Sequence, residues 1–250
     1  MKKIKNYVCS LMYFIGIVFL ISGCTRSIPV TYNENMSRLS NADAINTFSL
    51  GVAKFDDKRA WVDKDDHKSE SYVGMQSPWK FGLTYQDKDY TPVKDIVQTI
   101  FVKELINAGL NAKPVDCVIS KQNITDIQKI NGQNKTDYIL GGDILIFEFA
   151  NDTGVWTTTS RRTVALNLIM IKVNGEEVRL DTAVNETDRE FEGMGVLHST
   201  NVDKLMNKVV KKVVNQVIQQ VAAKMALDYK DISWKITLNG KAYKIDHDLI

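Results

Sequence analysis

The sequence predicts an α/β domain of the α+β sandwich kind. It reads as a mixed sheet of four or five strands packed by two main helices, with a C-terminal β-hairpin appended. Three observations carry this. Residues 138–149 and 163–173 are long runs rich in β-branched and aromatic side chains, the composition of strands. Val93, Ile96, Val97, Ile100, Phe101, Leu105 and Ala108 recur at helical spacing. From Leu205-Met206 the chain runs in apolar doublets (Val209-Val210, Val213-Val214, Val217-Ile218, Val221-Ala222) that a strand's period of two cannot produce, so this segment is a helix despite its valines. A four-residue repeat on 3.6 residues per turn drifts by ~40° per step, so the stripe winds as a helix crossing a twisted sheet requires. A heptad coiled coil would need a spacing of 3.5 instead.

In chain order, Phe48, Leu50, Val52 and Phe55 give a strand that ends at Asp56-Asp57-Lys58-Arg59. Residues 56–72 are dense in charge, and Trp61, Tyr72, Trp79, Phe81, Tyr85 and Tyr90 are interleaved with and beyond them. Long loops in compact domains are commonly functional, so Trp61, Tyr72, Trp79 and Phe81 form a candidate partner surface. The alternative is an edge strand in which Trp79, Phe81 and Tyr85 pack on the domain. Thr91-Pro92 reads as an N-cap followed by proline at N1, and Gly109 as the stop of the first helix. A strand over Ala112–Ile119 and a weak helix near Ile124, Ile127 and Ile130 follow. Asn174-Gly175 joins two strands, because both residues accept the positive φ of a type I′ turn. The second of these strands places Val178, Leu180, Thr182 and Val184 on one face and Arg179, Asp181 and Asn185 on the other. Asn239-Gly240, between Ile232–Leu238 and Ala242-Tyr243, is a second hairpin that either joins the sheet edge or projects as an arm.

The N-terminus has the form of an export leader. Lys2, Lys3 and Lys5 precede an apolar run from Tyr7 to Ile21, short of the ~20 residues that span a bilayer. The run ends on Ile21, Ser22, Gly23 and Cys24, which resembles the bacterial lipobox. That resemblance implies signal peptidase II cleavage before Cys24 and acylation of Cys24, an anchor rather than a span. The remaining alternative is an uncleaved N-terminal anchor. Thr25, where an aspartate favours inner-membrane retention, points to the periplasmic face of the outer membrane ahead of the inner membrane. The domain organisation expected is a signal peptide over 1–23, a lipidated flexible tether over 24–45, a periplasmic domain over 46–229 and a hairpin tail over 230–250.

Loss of residues 1–23 removes three of 32 basic side chains and leaves 29 against 30 acidic ones, a formal charge of about −1. No basic excess remains to drive nucleic-acid binding by counterion release. Cys24 and Cys117 are the cysteines left, so no internal disulfide and no cysteine metal cluster is expected, and Cys117 reads as a small buried hydrophobe. His67, His198 and His247 stand alone in sequence, without metal-ligand spacing. No nucleophile elbow, Walker A loop or dinucleotide fingerprint occurs, and no cofactor is implied; Gly141-Gly142 lie within a strand, where glycine permits a bulge or close backbone approach. Asp143, Glu148, Asp188 and Glu190 are the acidic candidates for general acid–base work, Asp143 foremost because it interrupts an apolar strand.

The element order, with Leu105-x-x-Ala108-Gly109 and Thr136-Asp137-Tyr138-Ile139-Leu140-x-Gly142-x-Ile144, resembles the small periplasmic domains of several envelope lipoprotein families. The nearest is the uncharacterised YajG-like lipoprotein family, whose valine-rich strand, Asp and Arg, and later Gly are matched here by Asp56, Asp57, Arg59 and Gly74. The resemblance covers roughly residues 46–229, and the hairpin from Ile232 departs from it. It implies action by contact, without an active site. The expected function is therefore that of a lipid-anchored, non-enzymatic accessory or binding subunit of a cell-envelope complex, with the membrane and an envelope protein as partners. The alternative is a lipid or small-ligand binder with its ligand between the sheet and the winding helix, and a hydrolase using Asp143 comes third.

Overall fold

The computed structural model describes residues 25–29, 32, 38–39, 42–63, 65–66, 68–76, 79–84, 90–120, 135–153, 158–174, 177–191, 199–228, 235–238 and 241–244. Its centre is a five-stranded open sheet of β2 (Ser49–Asp57), β5 (Asn111–Ile119), β6 (Tyr138–Thr153), β7 (Thr158–Lys172) and β8 (Glu177–Phe191), in the order β5-β2-β6-β7-β8. β2 runs parallel to both of its neighbours, while β6, β7 and β8 form an antiparallel meander. Two helices, α2 (Val93–Asn107) and α3 (Ser199–Ala226), pack on one face. α2 covers β2 and β5, and α3 covers β7 and β8. A second sheet has the order β1-β4-β3, from β1 (Thr25–Pro29), β3 (Tyr72–Gln76) and β4 (Trp79–Thr84), and its β3 lies against β6. The predicted tail hairpin is β9 (Lys235–Leu238) and β10 (Lys241–Lys244), a two-stranded sheet of its own. Among the described residues no helix is long and apolar enough to cross a membrane.

The core follows the sequence pattern closely. Every doublet of α3 from Val209-Val210 to Met225-Ala226 is buried, together with Ile96, Ile100, Phe101 and Leu105 of α2 and Leu140, Phe147, Leu166, Leu168 and Met170 of the sheet. The opposite face has its own smaller apolar cluster of Ala53, Val115, Ile119, Ile139, Ile169, Ile171 and Val173, so the central strands are apolar on both sides. The start of β2 is keyed to β6 by Ser49 and Asp137. The Ser49 N–H and hydroxyl both donate to Asp137 Oδ2 (2.8 and 2.7 Å), and the Asp137 N–H donates back to Ser49 Oγ at 3.0 Å. Beyond Val52 the register shifts on both sides of β2, and buried Gln98 of α2 donates its amide to the Val52 and Val115 carbonyls at 2.9 and 3.1 Å. A polar residue on a buried helical face thus satisfies acceptors at an irregular part of the parallel ladder.

Three local expectations are corrected. The N-cap of α2 is Pro92 rather than Thr91, and it makes no side-chain cap bond. The tether expected over 24–45 contains packed structure: Leu39, Ala42 and Ile45 are buried in the main core, the latter two on α1 (Ala42–Ile45), and the Leu39 N–H donates to the Ala108 carbonyl at 3.0 Å. Gly109 makes that docking possible. It sits at φ +94 after α2, in a Schellman arrangement where its own N–H reaches Ile106 O and that of Leu110 reaches Leu105 O, both at 2.9 Å. A Cβ there would lie 2.3 Å from Ala42 Cβ. The third correction concerns β8. Its register slips between Met170 and Ile171, so that Met170 faces Leu180 but Ile171 faces Val178. Arg179 is the extra residue, and Val178 moves to the face away from the helices, where it is 44% exposed.

The bulged Arg179 helps close the fold. Just beyond α3, the carboxylate of Asp228 accepts from Arg179 Nη2 at 2.6 Å, from the Tyr138 hydroxyl, and from Lys172 Nζ at 2.9 Å. These donors belong to β8, β6 and β7, so a single carboxylate ties the helix end to three strands. An acid near a helix C-terminus opposes the macrodipole, and these donors reverse the balance. Burial works against ionisation of Asp228, but the Tyr138 and Lys172 hydrogen bonds and the Arg179 charge outweigh it and hold its pKa below the usual carboxylate value. Burial, reinforced by the same contact, pushes the Tyr138 hydroxyl upward. Nearer the middle of α3, Lys208 and Lys212 reach Asp188 of β8 at 2.8 and 3.3 Å. The Lys208 hydrogen bond is the main cause of the lowered Asp188 pKa.

Two outcomes are expected. Gly109→Ala, with a side chain at φ +94 and in contact with Ala42, lowers stability by about 2 kcal/mol in urea unfolding. Asp228→Asn costs about 2 kcal/mol at neutral pH. Because the folded pKa of Asp228 is depressed, its contribution is complete above the unfolded value of ~4 and is lost as pH falls through the folded one. Unfolding midpoints of variant and wild type therefore converge below about pH 4.

Candidate functional site

The charged end of β2 sorts itself by period. In extended backbone, residues two apart share a side, so Asp56 goes with Lys58 and Asp57 with Arg59. On one side, Lys58 Nζ lies 2.9 Å from Asp143 Oδ1 and 3.7 Å from Asp56 Oδ2. On the other, the Arg59 guanidinium is fully buried and bidentate to Asp57, Nε to Oδ1 at 2.8 Å and Nη2 to Oδ2 at 2.7 Å. Its remaining donors reach the backbone, Nη2 to Glu70 O at 2.8 Å and Nη1 to Tyr72 O. One side chain thus joins the exit of β2, the end of the following loop and the first residue of β3.

The loop between these points is further fixed from within and from α2. The Asp63 N–H donates to Ser69 Oγ, which donates back to Asp63 O, both at 2.8 Å, and a 3-10 turn (Ser69–Ser71) delivers the chain to β3. Lys94, near the start of α2, meets Glu70 at 2.7 Å, and Lys68 Nζ lies 4.7 Å from the centre of the Tyr90 ring. Part of the charge in this stretch, Asp57, Arg59 and Glu70, is used in these attachments, while Asp63 and Asp65 stay exposed. Beside the exposed Ala60, Asp63, Asp65 and Lys68, the loop presents one large apolar side chain outward among the described residues, Trp61, 37% exposed.

The other residues singled out in sequence are dispersed. Tyr72 is only 6% exposed, so its ring is part of the interior and not of an outward surface. Trp79 and Phe81 lie on β4, paired with Gln76 and Gly74 of β3. Ile21, Ser22, Gly23 and Cys24, the three histidines and the weak helix near Ile124 lie outside the described residues. The acidic candidates do not converge: Asp143 is held by Lys58, Glu148 lies 3.9 Å from Arg161, Asp188 is held by the lysines of α3, and Glu190 is exposed. Among the described residues no cluster of His, Cys, Asp or Glu could hold a metal ion. Cys117 is half-buried beside the far-face cluster, and burial, with Asp116 alongside, pushes its thiol up to about 11. Sequence reasoning missed Arg162, a fully buried arginine whose guanidinium stacks 3.8 Å from the centre of the Phe149 ring. The signal that could have found it is parity: Arg162 shares the side of Val164, Leu166, Leu168 and Met170, the helix-facing core residues, while Arg161 shares that of Thr163 and Asn167.

Beneath the helices, Val97, Ile100, Phe101, Phe147, Val164, Leu166, Val210, Val213 and Val214 line an apolar cleft. Its cavity volume is ≈ 10 Å³. That is room for about one water, where ligand sites run from about 300 Å³ upward.

No family model and no curated protein matches the chain. Among solved structures, protein XCC0632 of family DUF330 from Xanthomonas campestris aligns over 84% of this chain and 100% of its own, at 13% identity and a TM-score of 0.47. A neuraminyllactose-binding hemagglutinin homolog from Helicobacter pylori aligns over 80% and 95%, at 11% identity and a TM-score of 0.41. Lipoprotein GNA1162 from Neisseria meningitidis aligns over 69% and 99%, at 14% identity and a TM-score of 0.29. None of these likenesses carries an activity or a partner across to this chain.

The Arg59 clamp has a measurable consequence. Arg59→Ala leaves the Asp57 carboxylate, 4% exposed, without its counter-charge, and stability falls by about 3 kcal/mol. Limited proteolysis of this variant then cuts first within residues 58–71, while wild type resists there.

Proposed function

We propose that the chain is a lipid-anchored lipoprotein of the bacterial envelope that acts without catalysis, as an accessory or binding subunit of an envelope complex at the periplasmic face of the outer membrane. The observation that carries this reading is the loop after β2. It is long and charged, yet held at both ends by Arg59 and attached to α2 by Glu70–Lys94, and it offers Trp61 to solvent. An ordered loop with an exposed tryptophan has the makings of an interface hot spot, since little ordering entropy is lost when a partner docks. The leader ending on Ile21-Ser22-Gly23-Cys24 supplies the anchor in this reading, and a tethered platform meets a membrane-bound partner at raised effective concentration. The acids that general acid–base chemistry would use are each engaged by a different cation or stand apart, which favours contact over catalysis. The lipid-binding alternative requires α3 to lift from the sheet, against the burial of its doublets from Val209-Val210 to Met225-Ala226.

A photo-crosslinking residue at Trp61 in the full chain, expressed in its own cells, is expected to yield one discrete protein adduct. The same probe at exposed Lys113, on the far edge strand, yields none. Equal labelling at both positions, or none at Trp61, would remove the platform reading. Metabolic labelling with palmitate is expected in wild type and absent in Cys24→Ala.

A further inference from the structure

We propose that two copies of this chain pair along β8, antiparallel, about a twofold axis at Asn185, to make a continuous ten-stranded sheet. The two edges of the central sheet differ in kind. β5 spans nine residues, contains Pro114 and pairs irregularly with β2, features that block further pairing. β8 spans fifteen residues with no proline or glycine, and from Leu180 to Phe191 it pairs with β7 without a register shift. Among the described residues no strand takes its outer side. A long regular edge is a template for another strand.

The side chains favour a second copy of the strand as the partner and narrow its register, and the axis at Asn185 is the one that keeps the unshifted stretch from Leu180 to Glu190 fully paired. Leu180 and Val184 are buried toward α3, and Asp188 bonds its lysines, so Asp181, Ala183, Asn185, Thr187 and Arg189 share the opposite face, where all five are exposed. With the axis at Asn185, Asp181 of each copy stands opposite Arg189 of the other, Ala183 opposite Thr187, and Asn185 opposite itself. On the helix side Leu180 meets Glu190, Thr182 meets Asp188 and Val184 meets Glu186, so like charges are opposed nowhere in the segment. Moving the axis to Val184 opposes Arg179 to Arg189, and moving it to Glu186 opposes that glutamate to its own copy. Directly opposed like charges destabilise a ladder and opposite ones support it. Within one chain Arg189 faces Arg161 across the β7–β8 ladder, an unfavourable pair that the second copy's Asp181 relieves.

The test uses the full chain in detergent, with Asn185→Cys as a reporter at the axis. Mild oxidation is expected to join two copies through residue 185. Adding Asp181→Arg should slow the joining about tenfold, as loss of two charge pairs predicts, and adding Arg189→Asp to that variant should restore it. The unfolding midpoint of each variant separates a folding defect from a pairing defect. Joining that ignores the single reversal, failure of the double reversal to restore it in a folded protein, or a wild-type chain that sediments as a monomer at micromolar concentration would each overturn the proposal.

Discussion

The buried pairing of Arg59 with Asp57 is the contact around which the outward-facing part of this protein is built. A guanidinium taken fully out of water is tolerated only where its donors are used, and here one carboxylate and two carbonyls use them. Those acceptors come from the end of β2, from Glu70 and from Tyr72, so the charge is buried only when all three segments are in place. Loop closure and burial of the ion pair are therefore one event. The buried Tyr72 lies at the same place: its carbonyl is engaged by the clamp, and β3 begins there already anchored.

A comparable economy holds α3. Its stripe is long and winding, and burial drives it onto the sheet without by itself fixing its position along the axis. Asp228 just past its C-terminal end and the Lys208 and Lys212 contacts to Asp188 nearer its middle supply that position. Each uses a charge on a strand bonded to its neighbours, so the helix inherits the register of β8. The bulge at Arg179 belongs to the same device, since it brings the guanidinium to Asp228 while leaving Val178 on the outer face.

Much of this was legible in the sequence wherever periodicity extends over many residues. The doublets of α3, the stripe of α2 and the antiparallel pairing of β7 with β8 each declare themselves through local pattern, and the five-stranded sheet under two helices follows from them. What was not legible depends on single contacts between distant segments. Leu39, Ala42 and Ile45 are too few and too widely spaced among polar residues to announce a docked turn, and they are buried because Gly109 leaves room for them. Gln98 looks like a polar lapse in an apolar stripe until the Val52 and Val115 carbonyls are seen beside it. Asp57 and Arg59 sit in a charge run that reads as solvated, and only the return of the chain at Glu70 and Tyr72 makes them interior. Val178 was assigned to the wrong face because a bulge changes parity, and parity is all that a strand pattern encodes.

With both its ends on Arg59, the loop after β2, described over residues 58–63, 65–66 and 68–71, is a fixed surface and not a free segment. Hydrogen exchange of the full chain at neutral pH tests it most directly, read at the amides of Val62, Asp63, Ser69 and Ser71, whose acceptors lie within the loop. Protection at these positions is expected to rise together with that of β3, because a single clamp closes both. Exchange of the four amides at the rate of an unstructured peptide, with the core strands still protected, would contradict it.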